Sequence, residues 1–183
     1  MSNDENPDPP PYPLPGSTPW YNQRAREDSE RAIGRICMAF QQLEESVSGH
    51  IARLISRDLH LGTIITAELS FRNKVGLLCS VYLYRAELSA PPEILKTLLA
   101  RLHSAEERRN TIMHSYWIKS PVCGALTRYK YTAKSGKGFV HQIEDFEPEH
   151  IDAIAAQIAL VNIDCDAHLS DTFPSCDGRA EMA

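Results

Sequence analysis

Arg109, Asn110 and His114 fall within six consecutive positions of a 183-residue chain. A guanidinium holds an anion through a fork of N–H donors, and an imidazole exchanges a proton near neutral pH. Glu107 adds a carboxylate, and Glu107, Asn110 and His114 share one side of an ideal helix. Arg109 lies about 140° away from His114 on the same helix. One turn thus presents a cation, an amide, a carboxylate and an imidazole. Nothing comparable suggests a metal. The seven histidines form no HxxxH pair and the five cysteines no CxxC pair, so neither a metal site nor a cofactor is expected.

The element that carries these residues opens at Pro91 and Pro92, where a missing N–H costs nothing. Its apolar positions, Leu95, Leu98, Leu102, Ala105, Ile112 and Tyr116, make one face at helical spacing. Arg109 falls in the middle of that face. A buried charge without a partner costs several kcal/mol, roughly the price of a whole core side chain. An earlier helix, from about Asp28 to Ser56, carries the stripe Ile33, Ile36, Cys37, Phe40, Leu43, Val47, Ile51, Leu54 and Ile55. Glu44 sits near the centre of that stripe, whereas Glu45 points away. The two misplaced charges are therefore expected to meet. The pair would either fix helix register or orient the arginine.

Around these two helices the remaining elements follow from periodicity and punctuation. Residues 1–22 are polar and proline-rich, a tail in which Pro9-Pro10-Pro11-Tyr12 matches a short WW-domain ligand motif. Gly62 and Thr63 punctuate, and a broadly apolar helix is expected from about Thr66 to Glu87. Residues 125–132 and 139–143, with Ser135-Gly136-Lys137-Gly138 between them, predict a β-hairpin. Pro148 opens a last helix with Ile151, Ile154, Ile158, Val161 and Cys165 on one stripe. Residues 171–183 are expected to be a loose tail. The sum is an all-α class domain over 23–170, a four-helix bundle with a small hairpin before the last helix.

Bulk properties narrow the classes. No run of about 18 apolar residues is present, which excludes a membrane span. The N-terminus lacks the basic start and apolar stretch of a secretory signal, so the expected compartment is the cytoplasm. Cys37, Cys79, Cys123, Cys165 and Cys176 are scattered, and Cys37, Cys79 and Cys165 read as core residues. The net charge of −5 argues against indiscriminate nucleic-acid binding. From Arg101 to His141, however, eight Lys/Arg face only Glu106 and Glu107, giving +6 locally and leaving −11 elsewhere. That asymmetry marks either a surface that meets an anion or a solvated basic face.

The segment Glu107-Arg108-Arg109-Asn110-Thr111-Ile112-Met113-His114-Ser115-Tyr116-Trp117 resembles the signature of the HEPN family. That signature is an arginine followed directly by a polar residue, often asparagine, with four to six residues in all between the arginine and a histidine. The resemblance in pattern spans roughly residues 28–169, and its specific part is short. It implies a helical bundle that forms a homodimer and cleaves single-stranded RNA without a metal. His114 would act as base on the 2′-OH or acid on the leaving oxygen. Arg109 would hold the phosphate, Asn110 would orient phosphate or histidine, and Glu44 and Glu107 would support them. Tyr116 extends the match to Arg-x4-His-x-Tyr, a form similar to HEPN toxins whose cognate antitoxins modify the tyrosine. Tyr116 also continues the apolar stripe, as a core residue would. Arg108, Lys119, Arg128, Lys130, Lys134 and Lys137, interleaved with Tyr129, Tyr131 and Phe139, suit RNA phosphates and bases. Equally, such lysines guard the edge of an ordinary hairpin. A non-catalytic HEPN-like module, in which Glu44, Arg109 and His114 stabilise the bundle or dimer, is the alternative function.

Overall fold

The computed structural model describes residues 23–56, 59–120, 126–134 and 138–174; for residues 23–26, 59, 119, 132–134 and 138 it describes the backbone alone. The expected proline-rich tail and Cys123, Lys137 and Cys176 lie outside the described residues. Five helices and a three-stranded sheet follow one another: α1 Gln23–Ile55, α2 Leu59–Ala67, α3 Phe71–Arg85, α4 Glu93–Met113, β1 Tyr116–Lys119, β2 Leu126–Lys134, β3 Gly138–Phe146 and α5 Pro148–Thr172.

Helix α1 is the spine. Its buried positions, Ala32, Ile36, Phe40, Leu43, Val47, Ile51 and Leu54, recur every three or four residues and turn one stripe inward. It packs along α5 and also against α2, α3 and α4. Ile151, Ile158, Val161, Cys165 and Leu169 face it from α5, and Leu95, Leu98, Leu102 and Ile112 close the core from α4. Burial of such a side chain contributes about 1.5–3 kcal/mol, so these stripes and not helix propensity hold the bundle.

The expected four helices are five because the apolar segment after α1 is divided. Gly62 does not punctuate. It lies inside α2 and is buried, and a Cβ there would stand 2.2 Å from Ala52 Cβ. Glycine therefore lets α2 lie directly on α1. Helix α3 begins later than the periodicity suggested, at Phe71, because the Ser70 hydroxyl accepts from the Asn73 N–H at 3.3 Å and caps it.

The C-terminal boundary is also displaced. Helix α5 continues through Thr172, and Phe173 packs edge-on against Tyr82, with ring centroids 5.1 Å apart. The expected loose tail, 171–183, thus starts inside α5 and includes a packed ring.

The sheet has the order β1-β2-β3, both pairs antiparallel. The hairpin forms as expected, in the register Tyr129↔Ile143 and Tyr131↔His141. A third strand, β1, was not expected. Helix α4 stops at Met113 instead of reaching Tyr116, since Tyr-Trp-Ile is a strand-favouring run. Trp117 Nε1 donates to Ile112 O at 3.1 Å and Ser115 Oγ to Thr111 O at 2.5 Å. These side chains satisfy carbonyls that the helix end leaves open.

Candidate functional site at the end of helix α4

Arg109 and Asn110 occupy the last full turn of α4, and His114 is its C-cap residue, its backbone N–H donating to Asn110 O at 3.1 Å. Arg109 is half-buried. Its Nη1 donates to Asn110 Oδ1 at 2.9 Å, and its guanidinium lies 5.2 Å from the centroid of the Phe40 ring. Phe40 in turn packs on Phe71, centroids 4.8 Å apart. A cation over a ring face gains about 0.5–2 kcal/mol, and the ring stiffens the stem of the arginine. The other guanidinium donors have no partner among the described residues. His114 is exposed and its imidazole likewise has no partner there. The structure thus brings a braced cation and an open imidazole to one helix end.

The expected Glu44–Arg109 pair does not form. Glu44 Oε1 instead accepts from Lys74 Nζ at 2.7 Å, and the Lys74 side chain is only 9% exposed. Lys74 belongs to the stripe of α3 that also buries Phe71, Val75, Leu78 and Tyr82. Lys74 is buried where Arg109 is only half-buried, and it is the charge that demands a carboxylate. The sequence signal was present, a lysine three residues after Phe71 and four before Leu78. Apolar residues on several sides of the helix mask it.

The other expected site residues scatter. Glu107 is exposed and lines a cleft of ≈ 550 Å³ between α3 and α4, together with Arg72, Gly76, Cys79 and His103. Arg108 turns toward α5 and donates to Gln157. Tyr116 is not a core residue: it is 57% exposed on β1, opposite Tyr129. Of Lys119 and Lys134 only the backbone is described.

Arg128 is no phosphate ligand in this structure. It is 2% exposed, donates to Glu144 Oε2 at 2.6 Å and to Ser115 Oγ at 3.2 Å, and sits 5.8 Å from the Phe146 ring centroid. It ties the sheet to the end of α4, because Ser115 itself donates to Thr111 O. The pleat explains the reversal. Residues opposite one another share a face and successive residues alternate, so Arg128 and Lys130 point to the core side while Tyr129 and Tyr131 point outward. The expected mixing of cations and rings on one surface is therefore absent from β2.

A second polar cluster escaped the sequence reading. His50, 5% exposed on the α1 stripe, shares a 2.6 Å hydrogen bond between Nε2 and Asp166 Oδ1 of α5. Ser46 Oγ donates to the same oxygen at 2.6 Å. Arg53 Nη2 lies 3.0 Å from His50 Nδ1. Arginine only donates, so Nδ1 accepts and Nε2 carries the hydrogen: His50 is neutral. Burial, and secondarily the Arg53 charge, hold its pKa below the ordinary value, against the pull of Asp166. Burial pushes Asp166 up, but hydrogen bonds from Ser46 and His50 and the nearby cation more than offset it, leaving its pKa lowered. Burial also pushes the adjacent Cys165 thiol up to about 12, which makes it an inert core residue. Cys37 and Cys79 are half-buried rather than fully in the core.

Among the described residues, no group of three or more His, Cys, Asp or Glu could hold a metal ion, and no helix is long and apolar enough to cross a membrane. Comparison with protein-family models, with curated proteins and with solved structures gives no match.

Proposed function

We propose that this protein is a HEPN-like endoribonuclease that cuts RNA without a metal and works as a homodimer. The observation that carries this reading is the arrangement at the end of α4: Arg109 braced by Asn110 and Phe40, with His114 open to solvent at the C-cap of the same helix. An exposed imidazole does not hold a bundle together, and Glu44 is engaged by Lys74. Of the alternative, in which Glu44, Arg109 and His114 stabilise the bundle or the dimer, the bundle form therefore has less support.

The chemistry follows from the substrate's own nucleophile. The 2′-OH of RNA attacks the adjacent phosphorus once its proton is removed. The P–O5′ bond breaks, the 5′ oxygen takes up a proton, and a 2′,3′-cyclic phosphate remains. His114 moves one of these protons. Arg109 places its free donors against the non-bridging oxygens, where charge accumulates. One chain supplies one imidazole at this helix end, so two protomers facing each other would divide the base and acid roles. A cognate antitoxin remains a proposed partner, through the exposed Tyr116.

The test is cleavage of a mixed single-stranded RNA by wild type and His114→Ala protein in EDTA. Wild type should leave cyclic-phosphate or 3′-phosphate ends, and the variant should be slower by about 10²–10⁴-fold. Equal rates for both, or no cleavage by folded dimeric wild type, would sink the proposal.

A further inference from the structure

The cleft between α3 and α4 adjoins the candidate site. Arg72, Gly76 and Cys79 stand on one wall and Leu99, His103 and Glu107 on the other, around ≈ 550 Å³, a volume in the range of small-ligand pockets. Arg72 follows Phe71, which packs on Phe40, the ring beneath the Arg109 guanidinium. On α4, His103, Glu107, Asn110 and His114 recur at spacings of four, three and four and so share one side of the helix. The rise from Glu107 to His114 is about 10 Å. That is short enough for a base in the cleft and a phosphate at the helix end to belong to neighbouring nucleotides. A Cβ at Gly76 would meet nothing within 4 Å, so this glycine leaves the α3 wall open.

The polar groups of the cleft are unspent. Among the described residues Arg72 has one ionic contact, Nε to Glu106 Oε2 at 3.7 Å, too long for a hydrogen bond. Glu107 has no partner among them, and neither has His103, whose Nδ1 is buried. A guanidinium only donates and a carboxylate only accepts. On opposite walls of a cleft with apolar lining, they suit a flat ligand with two acceptors on one edge and two adjacent donors on another. Among the four RNA bases guanine alone has both: O6 and N7 accept, and N1–H and N2–H donate. Both edges are free only when the base is unpaired.

We propose that this cleft holds an unpaired guanine beside the bond that is cut, with Glu107 accepting from N1–H and N2–H and Arg72 donating to O6 and N7. The inference rests on reading Arg109, Asn110 and His114 as an RNA-cleaving site and adds which base that site selects.

The experiment uses the full chain carrying His114→Ala, so that RNA is bound but not cut. Fluorescein-labelled 12-nucleotide adenosine strands, with one central guanosine, one central inosine or neither, are titrated by anisotropy. The guanosine strand should bind about tenfold tighter than the all-adenosine strand. Inosine lacks the N2 amine and should fall between them. Glu107→Gln should abolish the preference, and so should Gly76→Leu, which narrows the cleft while favouring the helix. A merely structural loss would weaken all three strands alike. In the cleaving background, cuts should lie beside guanosine, and both variants should lower the ratio of kcat/KM for guanosine over adenosine strands. Equal affinity for the three strands overturns the proposal, as does a preference that both variants retain. Equal affinity with a loss of dimer by Gly76→Leu in sedimentation overturns it in favour of an interface between copies. Guanine preference in binding, with no cleavage by wild type, leaves the cleft standing and refutes the catalytic reading; cleavage without base preference does the reverse.

Discussion

Arg109 Nη1 and Asn110 Oδ1 are hydrogen-bonded at 2.9 Å, two neighbours on one helix turn locked to each other. The amide oxygen therefore positions the guanidinium. Asn110→Ala should lower kcat/KM for RNA cleavage by about tenfold, the scale of one lost hydrogen bond to a charged group. Asn110→Asp should be more harmful, since its carboxylate would neutralise the cation. Steady-state kinetics with circular dichroism checks both, and equal activity of all three proteins would refute the positioning role.

The Glu44–Lys74 pair predicts a stability effect without a catalytic one at its origin. Glu44→Ala strands a lysine that is 7% exposed and should cost about 3 kcal/mol in urea unfolding. Glu44→Leu combined with Lys74→Met should recover most of that loss. A double-mutant cycle in which the two effects simply add would show that the pair is not coupled.

His50 and Asp166 make the fold acid-sensitive in a defined order. Both pKa values are lowered in the folded state, so the unfolded chain binds more protons and stability falls as pH falls. The His50 contribution is complete above about pH 6.5, the ordinary imidazole value, and is lost below it as pH falls toward the folded value. The Asp166 contribution is complete above the ordinary carboxylate range and is lost only in stronger acid. Thermal melts from pH 8 to pH 4 should show the first decline beginning near pH 6.5. His50→Gln should flatten that part of the curve; an unaltered slope would assign it to other groups.

Gly62 tests the contact between α1 and α2. Alanine normally gains about 1 kcal/mol over glycine in a helix. Here the added methyl would meet Ala52 at 2.2 Å, and Gly62→Ala should instead cost about 1–3 kcal/mol, as overpacking does. Ala52→Gly in the same chain should not relieve the clash, because the Ala52 Cα would still stand 2.3 Å away. A stabilised Gly62→Ala single variant would mean that the helices can separate freely.

The stripes of α1, α4 and α5 were legible from residues 28–165 because a helix buries positions three and four apart, and that rule is local. The hairpin was legible for the same reason, at period two. The motif Arg109-Asn110-His114 could be read at its full length, since its residues are neighbours. The third strand could not, because Tyr116 fits a helical stripe and a strand pair equally well. Its choice depended on Ser115 and Trp117 reaching back to the carbonyls of Thr111 and Ile112.

The sequence by itself determined which side chains α1, α4 and α5 would turn inward and that Arg109, Asn110 and His114 would share one helix end. Only the tertiary structure decided how charges are paired between elements. Arg109 and Glu44 were both plausible partners on facing stripes, yet Lys74 came from a third helix and took the carboxylate. Likewise Arg128, one of a run of hairpin cations, became a buried tie to Ser115 and Glu144. Pairing depends on which group is most deeply desolvated and what lies within reach. Those quantities exist only once the helices and the sheet have been packed together.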